Sequence, residues 1–142
     1  NEEGSFYGYP YKHAKDVIDP EFGDMISSVD KEFVDPIAEL GAHVAPLGIA
    51  FYDGKEFPEK YHNSVFIALH GSWNRAKKSG YKVILVKLDD NGNYLYQEDF
   101  ITGWLSNETA WGRPAAPFVM SDGSLLVSDD KHNVIYKVQY KG

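Results

Sequence analysis

Short apolar runs separated by Asp-Gly and Asn-Gly turns organise the chain from residue 43 onward. Leu47 to Tyr52 is one such run and ends at the turn dipeptide Asp53-Gly54. Ser64 to Leu69 (Ser-Val-Phe-Ile-Ala-Leu) is a second, and Lys82 to Leu88 (Lys-Val-Ile-Leu-Val-Lys-Leu) a third. Asp90-Asn91-Gly92-Asn93 has hairpin turn chemistry and leads into a fourth strand, Tyr94 to Thr102. The pattern then restarts. Ala115 to Met120 precedes Asp122-Gly123, followed by Ser124 to Ser128, a polar loop Asp129-Asp130-Lys131-His132-Asn133, and Val134 to Tyr140. Residues 1–42 read differently. Phe6-Tyr7-Gly8-Tyr9-Pro10-Tyr11 is punctuated by Gly and Pro, and Asp19-Pro20 and Asp35-Pro36 bias their surroundings away from helix. This predicts a loop-rich lead-in with one short strand or helical turn around Glu32 to Leu40.

The two Asp-Gly turns lie 69 residues apart, and Ser64-Val65-Phe66-Ile67 aligns with Ser124-Leu125-Leu126-Val127 at a spacing of 60. The segment Lys55 to Asn63 accounts for the difference. A strand, an Asp-Gly turn, a buried strand, a polar loop and another strand, repeated at this spacing, is the pattern of β-propeller blades. A meander or sandwich with two similar hairpins is the alternative. The expected fold is all-β, a single propeller segment over 1–142. In it, 43–104 forms one four-stranded blade and 112–140 supplies three strands of a second, whose outermost strand comes from elsewhere. A pair of blades leaves apolar faces and strand edges open. Closure is therefore expected through assembly of copies or through additional chain.

Composition narrows the picture. The 142 residues suit one domain, and a hydrophobic content of 43% with 15% aromatics supports a packed β core. With 21 acidic against 14 basic residues the formal charge is −7, which speaks against nucleic acid or a membrane surface as partner. No apolar run approaches the ~18 residues of a membrane-spanning helix. The chain has no cysteine, which removes disulfides, thiolate catalysis and Cys-ligated metal. It starts at Asn1 without an initiator Met, as a mature form or a fragment would.

Candidate chemistry collects in three segments tied to strand-like runs: His43-Val44-Ala45-Pro46-Leu47-Gly48, His70-Gly71-Ser72-Trp73-Asn74-Arg75 and Gly112-Arg113-Pro114. Arg75 and Arg113 are the two arginines of the chain, and both fall in these segments. A guanidinium suits planar, bidentate carboxylate binding, although a salt bridge to one of the many acidic residues would account for it equally. His43 precedes the inner-strand run and His70 emerges at the end of the second strand; either is a ligand contact or a satisfied structural histidine. Trp73 and Trp111 flank the arginines and could stack on a planar ligand, with Trp111 the one expected in the core. Asn74 is a candidate hydrogen-bond donor. Asp129 and Asp130 offer oxygens of the kind calcium takes, or cap a strand. His13, His62 and His132 show no metal-ligand spacing, and phosphate loops and serine nucleophile elbows are missing.

In wording and order these segments resemble the C-terminal part of the soluble quinoprotein sugar dehydrogenases, in particular their sorbosone/aldose dehydrogenase branch. Gly8-Tyr9-Pro10-Tyr11 is similar to a Gly-Trp-Pro-Tyr segment of that family. Gly41 to Gly48, Leu69 to Arg75, Gly80-Tyr81-Lys82-Val83, Gly112-Arg113-Pro114 and Leu125 to Asp130 follow in the family's order. The resemblance implies a six-bladed propeller, so three copies of two blades would close a trimer. It also implies pyrroloquinoline quinone (PQQ) as cofactor, with calcium, and oxidation of a sugar or aldehyde by hydride transfer to the quinone in a periplasmic or secreted protein. PQQ is a rigid tricarboxylate with an ortho-quinone, which needs fixed cations and donors; His43, His70, Asn74, Arg75 and Arg113 are the expected cofactor-binding set, and Asp129 with Asp130 the expected metal ligands. In that family the catalytic base and its neighbouring Arg belong to an N-terminal half that this chain does not match. No catalytic residue is therefore assigned. Because the base is missing, a non-catalytic propeller module binding a carbohydrate or acidic small molecule stands as the alternative. A calcium-dependent hydrolase on a six-bladed ring is a third reading.

Overall fold

The computed structural model describes residues 3–142, which divide into two compact units, residues 3–39 and 40–142. In the first unit a two-residue hairpin pairs β1 (Lys12–His13) with β2 (Val17–Ile18), and a 3-10 helix runs from Gly23 to Ser28. Asp19 holds the chain between them. Its carboxylate accepts the backbone N–H groups of Glu21 and Phe22 at 2.9 and 2.8 Å and lies 2.7 Å from His13 Nε2. The bond to His13, followed by those N–H groups, lowers its pKa. Around Glu32 to Leu40 neither strand nor helix forms; Phe33 makes one isolated parallel bridge to Phe6. The regular element of this unit lies upstream, where the Asp19 side chain rather than apolar periodicity organises the turn.

The second unit contains a four-stranded antiparallel sheet of order β3 (Pro46–Tyr52), β4 (Ser64–Leu69), β5 (Lys82–Leu88) and β6 (Tyr94–Ile101). A small hairpin, β7 (Leu105–Ser106) with β8 (Thr109–Ala110), follows it. A three-stranded sheet of β9 (Pro114–Val119), β10 (Leu125–Asp129) and β11 (Val134–Val138) completes the unit. The strands fall within two residues of their expected bounds. The β7–β8 hairpin was not expected, because its turn uses Asn107 and Glu108 at φ 47° and 59° where a hairpin usually places glycine.

The repeat is literal. Pro46 pairs with Leu69 at the start of the first sheet, and Pro114 pairs with Asp129 at the start of the second, each beside a register irregularity. Ala50 pairs with Phe66 as Phe118 pairs with Leu126.

One face of the first sheet packs on one face of the second. Tyr52, Phe66, Val83 and Leu85 meet Leu125 and Val127, with Phe57, Tyr81 and Trp104 closing the cluster. Burying aliphatic and aromatic side chains of this size contributes about 1.5–3 kcal/mol each. Two features fix how the sheets meet. Gly48 sits where a Cβ would lie 2.5 Å from Ala116 Cα and 2.8 Å from Ala115 O, so β3 and β9 approach backbone to backbone. The buried Tyr52 hydroxyl donates to Gly123 O at 3.0 Å and accepts from Phe57 N–H at 2.8 Å, tying the end of β3 to the turn before β10.

Candidate functional site

Five segments reach one rim of the two sheets. The chain enters β3 through Val44-Ala45, leaves β4 through His70-Gly71, enters β5 through Gly80-Tyr81, enters β9 through Arg113 and leaves β10 through Asp129-Asp130. Backbone bonds lock the first two together, His70 N–H to Ala45 O at 3.0 Å and Gly71 N–H to Val44 O at 2.9 Å. Gly71 and Gly80 both have positive φ, and a Cβ on Gly80 would sit 2.7 Å from Gly71 Cα. Glycine is required where these two strands cross so closely. The loop between them is pinned at its base by Ser72 N–H to Ser79 O at 2.9 Å and by the Tyr81 hydroxyl donating to Ser72 O. Tyr81, Ser72 and Ser79 are scaffold residues of this site that were not singled out, although Tyr81 and Ser72 each stood inside a motif segment.

The loop carries three of the expected residues outward. Trp73 is 88% exposed, and Asn74 and Arg75 are exposed beside it, with Arg75 Nη1 donating to Ala42 O at 3.4 Å. His43 is exposed as well, in a left-handed conformation at φ 61°.

Arg113 is placed differently. Its Nε donates to His70 O at 3.1 Å, its Nη2 donates to Gly71 O, and its guanidinium lies 5.5 Å from the centre of the Tyr81 ring. It latches the second sheet to the end of β4. His70 is mostly buried, and its Nε2 lies 2.9 and 3.1 Å from the two carboxylate oxygens of Asp130. A carboxylate can only accept, so Nε2 carries a proton in this contact.

Asp129 and Asp130 do not form the expected calcium site. Asp129 is 1% exposed, and Oδ1 accepts the N–H groups of Arg113, Lys131 and His132 at 3.0, 3.1 and 3.0 Å, while Oδ2 accepts the Tyr136 hydroxyl at 3.1 Å. Burial by itself would raise its pKa; the N–H groups of Arg113 and His132, the Tyr136 hydroxyl and the Lys131 N–H outweigh it, and the net shift is downward. Its oxygens are spent on the loop after β10, and Asp130 is spent on His70. Among the described residues no group of three His, Asp or Glu side chains is arranged to hold a metal ion.

Trp111 is also corrected. It is 43% exposed, donates through Nε1 to Gly103 O at 2.6 Å and meets His132 edge-on; the core indole is Trp104, 3% exposed. Trp111 lies in a loop at a sheet end, whereas Trp104 is carried beneath Gly112, where a Cβ would lie 2.3 Å from its ring. A cavity of about 280 Å³ is lined by Ile101, Thr102, Trp104, Trp111, Tyr136 and Val138, none of them a rim residue. The rim is thus an open surface bearing two histidines, an amide, an exposed guanidinium and an exposed indole.

The TrAA12-like family model matches residues 1–141. The chain belongs to that family. A protein of Borreliella burgdorferi, uncharacterised, is 41% identical over 140 residues, covering 95% of this chain and 36% of its own length. The holo PQQ domain of pyranose dehydrogenase from Coprinopsis cinerea superposes with a TM-score of 0.62 at 27% identity, over 76% of this chain and 30% of that one. A Trichoderma reesei carbohydrate-active enzyme of family AA12 superposes with a TM-score of 0.70 at 22% identity, over 97% of this chain and 40% of that one. These bear out the resemblance to PQQ-dependent sugar dehydrogenases and identify the two sheets of this TrAA12-like chain as propeller blades. The chain spans about a third of the length of the Borreliella relative.

Proposed function

We propose that this TrAA12-like chain supplies part of the cofactor-facing rim of a PQQ-dependent sugar dehydrogenase, oxidising a sugar or aldehyde. The observation that supports this reading is the convergence of His43, His70, Asn74, Arg75 and Arg113 on one rim, in a chain of this family. The donor set fits a planar tricarboxylate. Arg75 and Asn74 stand exposed and ready to donate, and Trp73 offers a bare aromatic face beside them. When bound, PQQ accepts the two electrons of a hydride from the substrate.

The chain's own residues have distinct parts in this reading. Arg75 supplies the charge that meets a carboxylate. Arg113 acts mainly as a latch: with two of its donors on backbone carbonyls it keeps His70 and Gly71 at fixed positions. His70 is oriented at the rim by the bond between its Nε2 and Asp130 and by Arg113 on its carbonyl. Calcium, which the family resemblance implies, does not fit Asp129 and Asp130 as placed, and no step is drawn through it. A periplasmic or secreted location accompanies this reading.

The exposed Trp73 beside Arg75 favours a second reading, a blade module that binds a carbohydrate or acidic small molecule without turnover. Calorimetric titration of PQQ into the folded protein, followed by dye reduction with aldoses, separates the two. Saturable binding weakened at least tenfold by Arg75→Ala, with aldose-dependent dye reduction, supports the dehydrogenase. Binding without turnover supports the module. No binding to the folded chain overturns the first reading.

A further inference from the structure

The turn between β7 and β8 departs from the chemistry usual for its shape. Leu105 pairs with Ala110 and Ser106 with Thr109, so the loop is two residues long, and both of them, Asn107 and Glu108, have positive φ, 47° and 59°. A type I′ turn of this kind favours asparagine at its first position and glycine at its second. Asn107 conforms. Glu108 stands where glycine belongs, in a left-handed conformation that a Cβ disfavours. Backbone of this kind persists where its surroundings fix it, and it points to a task for the side chain.

Glu108 Oε2 accepts the backbone N–H of Lys78 at 2.6 Å, across 30 residues of chain. Lys78 lies in the loop that carries Trp73, Asn74 and Arg75, one residue out from the base formed by Ser72, Ser79 and Tyr81. The hairpin that supplies Glu108 is itself held. Trp111 closes it, with its backbone N–H on Trp104 O at 3.0 Å and its Nε1 on Gly103 O at 2.6 Å. From the loop after β10, Lys131 Nζ donates to Ala110 O. The charge on the carboxylate strengthens its bond to Lys78, and residues 72–79 contain Arg75, Lys77 and Lys78 and no acidic residue.

We propose that Glu108 is a positioning residue: from the β7–β8 hairpin it clasps Lys78 and holds the loop bearing Asn74 and Arg75 in its projecting posture at the rim, without touching ligand itself. Its effect on a ligand rests on the reading proposed above, in which Arg75 meets a carboxylate. A loop already held in place loses less freedom on binding. The charge on Glu108 opposes an anionic ligand, so its acceptor oxygen and its charge act in opposite senses and have to be separated.

Glu108→Gln removes the charge and keeps an acceptor oxygen. Glu108→Gly removes both and supplies the residue the turn prefers. The parent and the two variants are compared by thermal melt, by exchange of the Lys78 amide hydrogen followed by NMR, and by calorimetric titration with PQQ. Glu108→Gly is expected to melt at or above the parent temperature. Its Lys78 amide should exchange about tenfold faster than that of Glu108→Gln, as loss of one hydrogen bond implies. Its PQQ affinity should be about fivefold below that of Glu108→Gln. A residue serving only the fold would not give that split. Unchanged Lys78 exchange in Glu108→Gly overturns the proposal, and so does PQQ binding as tight as in Glu108→Gln. If the parent and both variants fail to bind PQQ, the dehydrogenase reading falls and the Lys78 exchange alone decides for or against the clasp. Should Glu108→Gly not fold, Glu108→Asn takes its place, since asparagine tolerates positive φ and its side chain is shorter by one methylene.

Discussion

Gly48→Ala isolates what holds the two blades at their observed distance. The added methyl carbon would sit 2.5 Å from Ala116 Cα, 2.8 Å from Ala115 O and 2.9 Å from Ala116 Cβ. Carbon atoms pack favourably at about 3.5–4.0 Å, so β3 and β9 must separate by about 1 Å. Alanine has no rotamer that evades the contact, and two of the three obstructing atoms are backbone. Overpacking of this kind costs about 1–3 kcal/mol. Because the seam also loosens the Tyr52 and Leu125 cluster beside it, the upper part of that range is expected, about 3 kcal/mol. For a chain of this size that lowers Tm by about 12 °C, at about 4 °C per kcal/mol. Differential scanning calorimetry of the parent, Gly48→Ala, Ala116→Gly and the double variant tests the reasoning. Ala116→Gly removes the Cβ contact and leaves Ala116 Cα and Ala115 O in place, so it should recover less than half of the loss. A Gly48→Ala protein melting within about 1 °C of the parent would refute backbone-to-backbone packing. Full recovery in the double variant would show that a side chain, not the backbone, sets the spacing.

Other substitutions test the remaining ties. Tyr52→Phe removes the hydroxyl shared by Gly123 O and Phe57 N–H in a buried place, and should cost about 1–3 kcal/mol in urea unfolding with no change in m-value. Arg113→Lys keeps the charge but loses the fork across His70 O and Gly71 O and the contact with Tyr81, so it should lower stability by about 1–2 kcal/mol and leave a lysine unable to restore the rim. Asp129 has a folded pKa below its ordinary value, so its contribution is present above the ordinary carboxylate pKa and lost as pH falls through the folded one. Melting the parent and Asp129→Asn between pH 7 and pH 2.5 should show the variant less stable by about 2–3 kcal/mol at pH 7 and the gap closing toward the acid end; a constant gap would mean that Asp129 does not act through its charge.

The strands were legible because each buried run is bounded by a turn that names itself. Ser64–Leu69 and Lys82–Leu88 are continuous apolar stretches between Asp-Gly and Asn-Gly signals, and they form at the expected residues. The β7–β8 hairpin escaped because Asn107 and Glu108 adopt positive φ without a glycine to announce it. Trp111 was expected in the core, where Trp104 lies instead, for a related reason. Trp104 and Trp111 have similar local surroundings, and what buries Trp104 is the missing side chain of Gly112, eight residues downstream and folded over its ring. No local pattern carries that information. The same holds for Gly48, whose role depends on a strand nearly seventy residues away.

Arg113 shows why residue type and motif position locate a rim without assigning its chemistry. Two arginines among fourteen basic residues, both in motif segments, were a sound pointer to where ligand-facing charge would lie. Both reach the rim. Yet a guanidinium has five donors in one plane, and the chain spends them differently at the two sites. At Arg113 the backbone carbonyls of His70 and Gly71 lie in that plane because Gly71, at φ 100°, turns its peptide toward the second blade. The side chain thereby holds the blades together and fixes the backbone of the histidine next to the exposed loop. At Arg75 the loop projects away from both sheets, and a single long bond to Ala42 O leaves the plane of donors turned to solvent. Arg75 should therefore govern anion affinity with little effect on folding, while Arg113 should affect folding first and affinity only through His70. Loss of binding in Arg75→Ala at an unchanged Tm, beside a lowered Tm in Arg113→Lys, would separate the two roles.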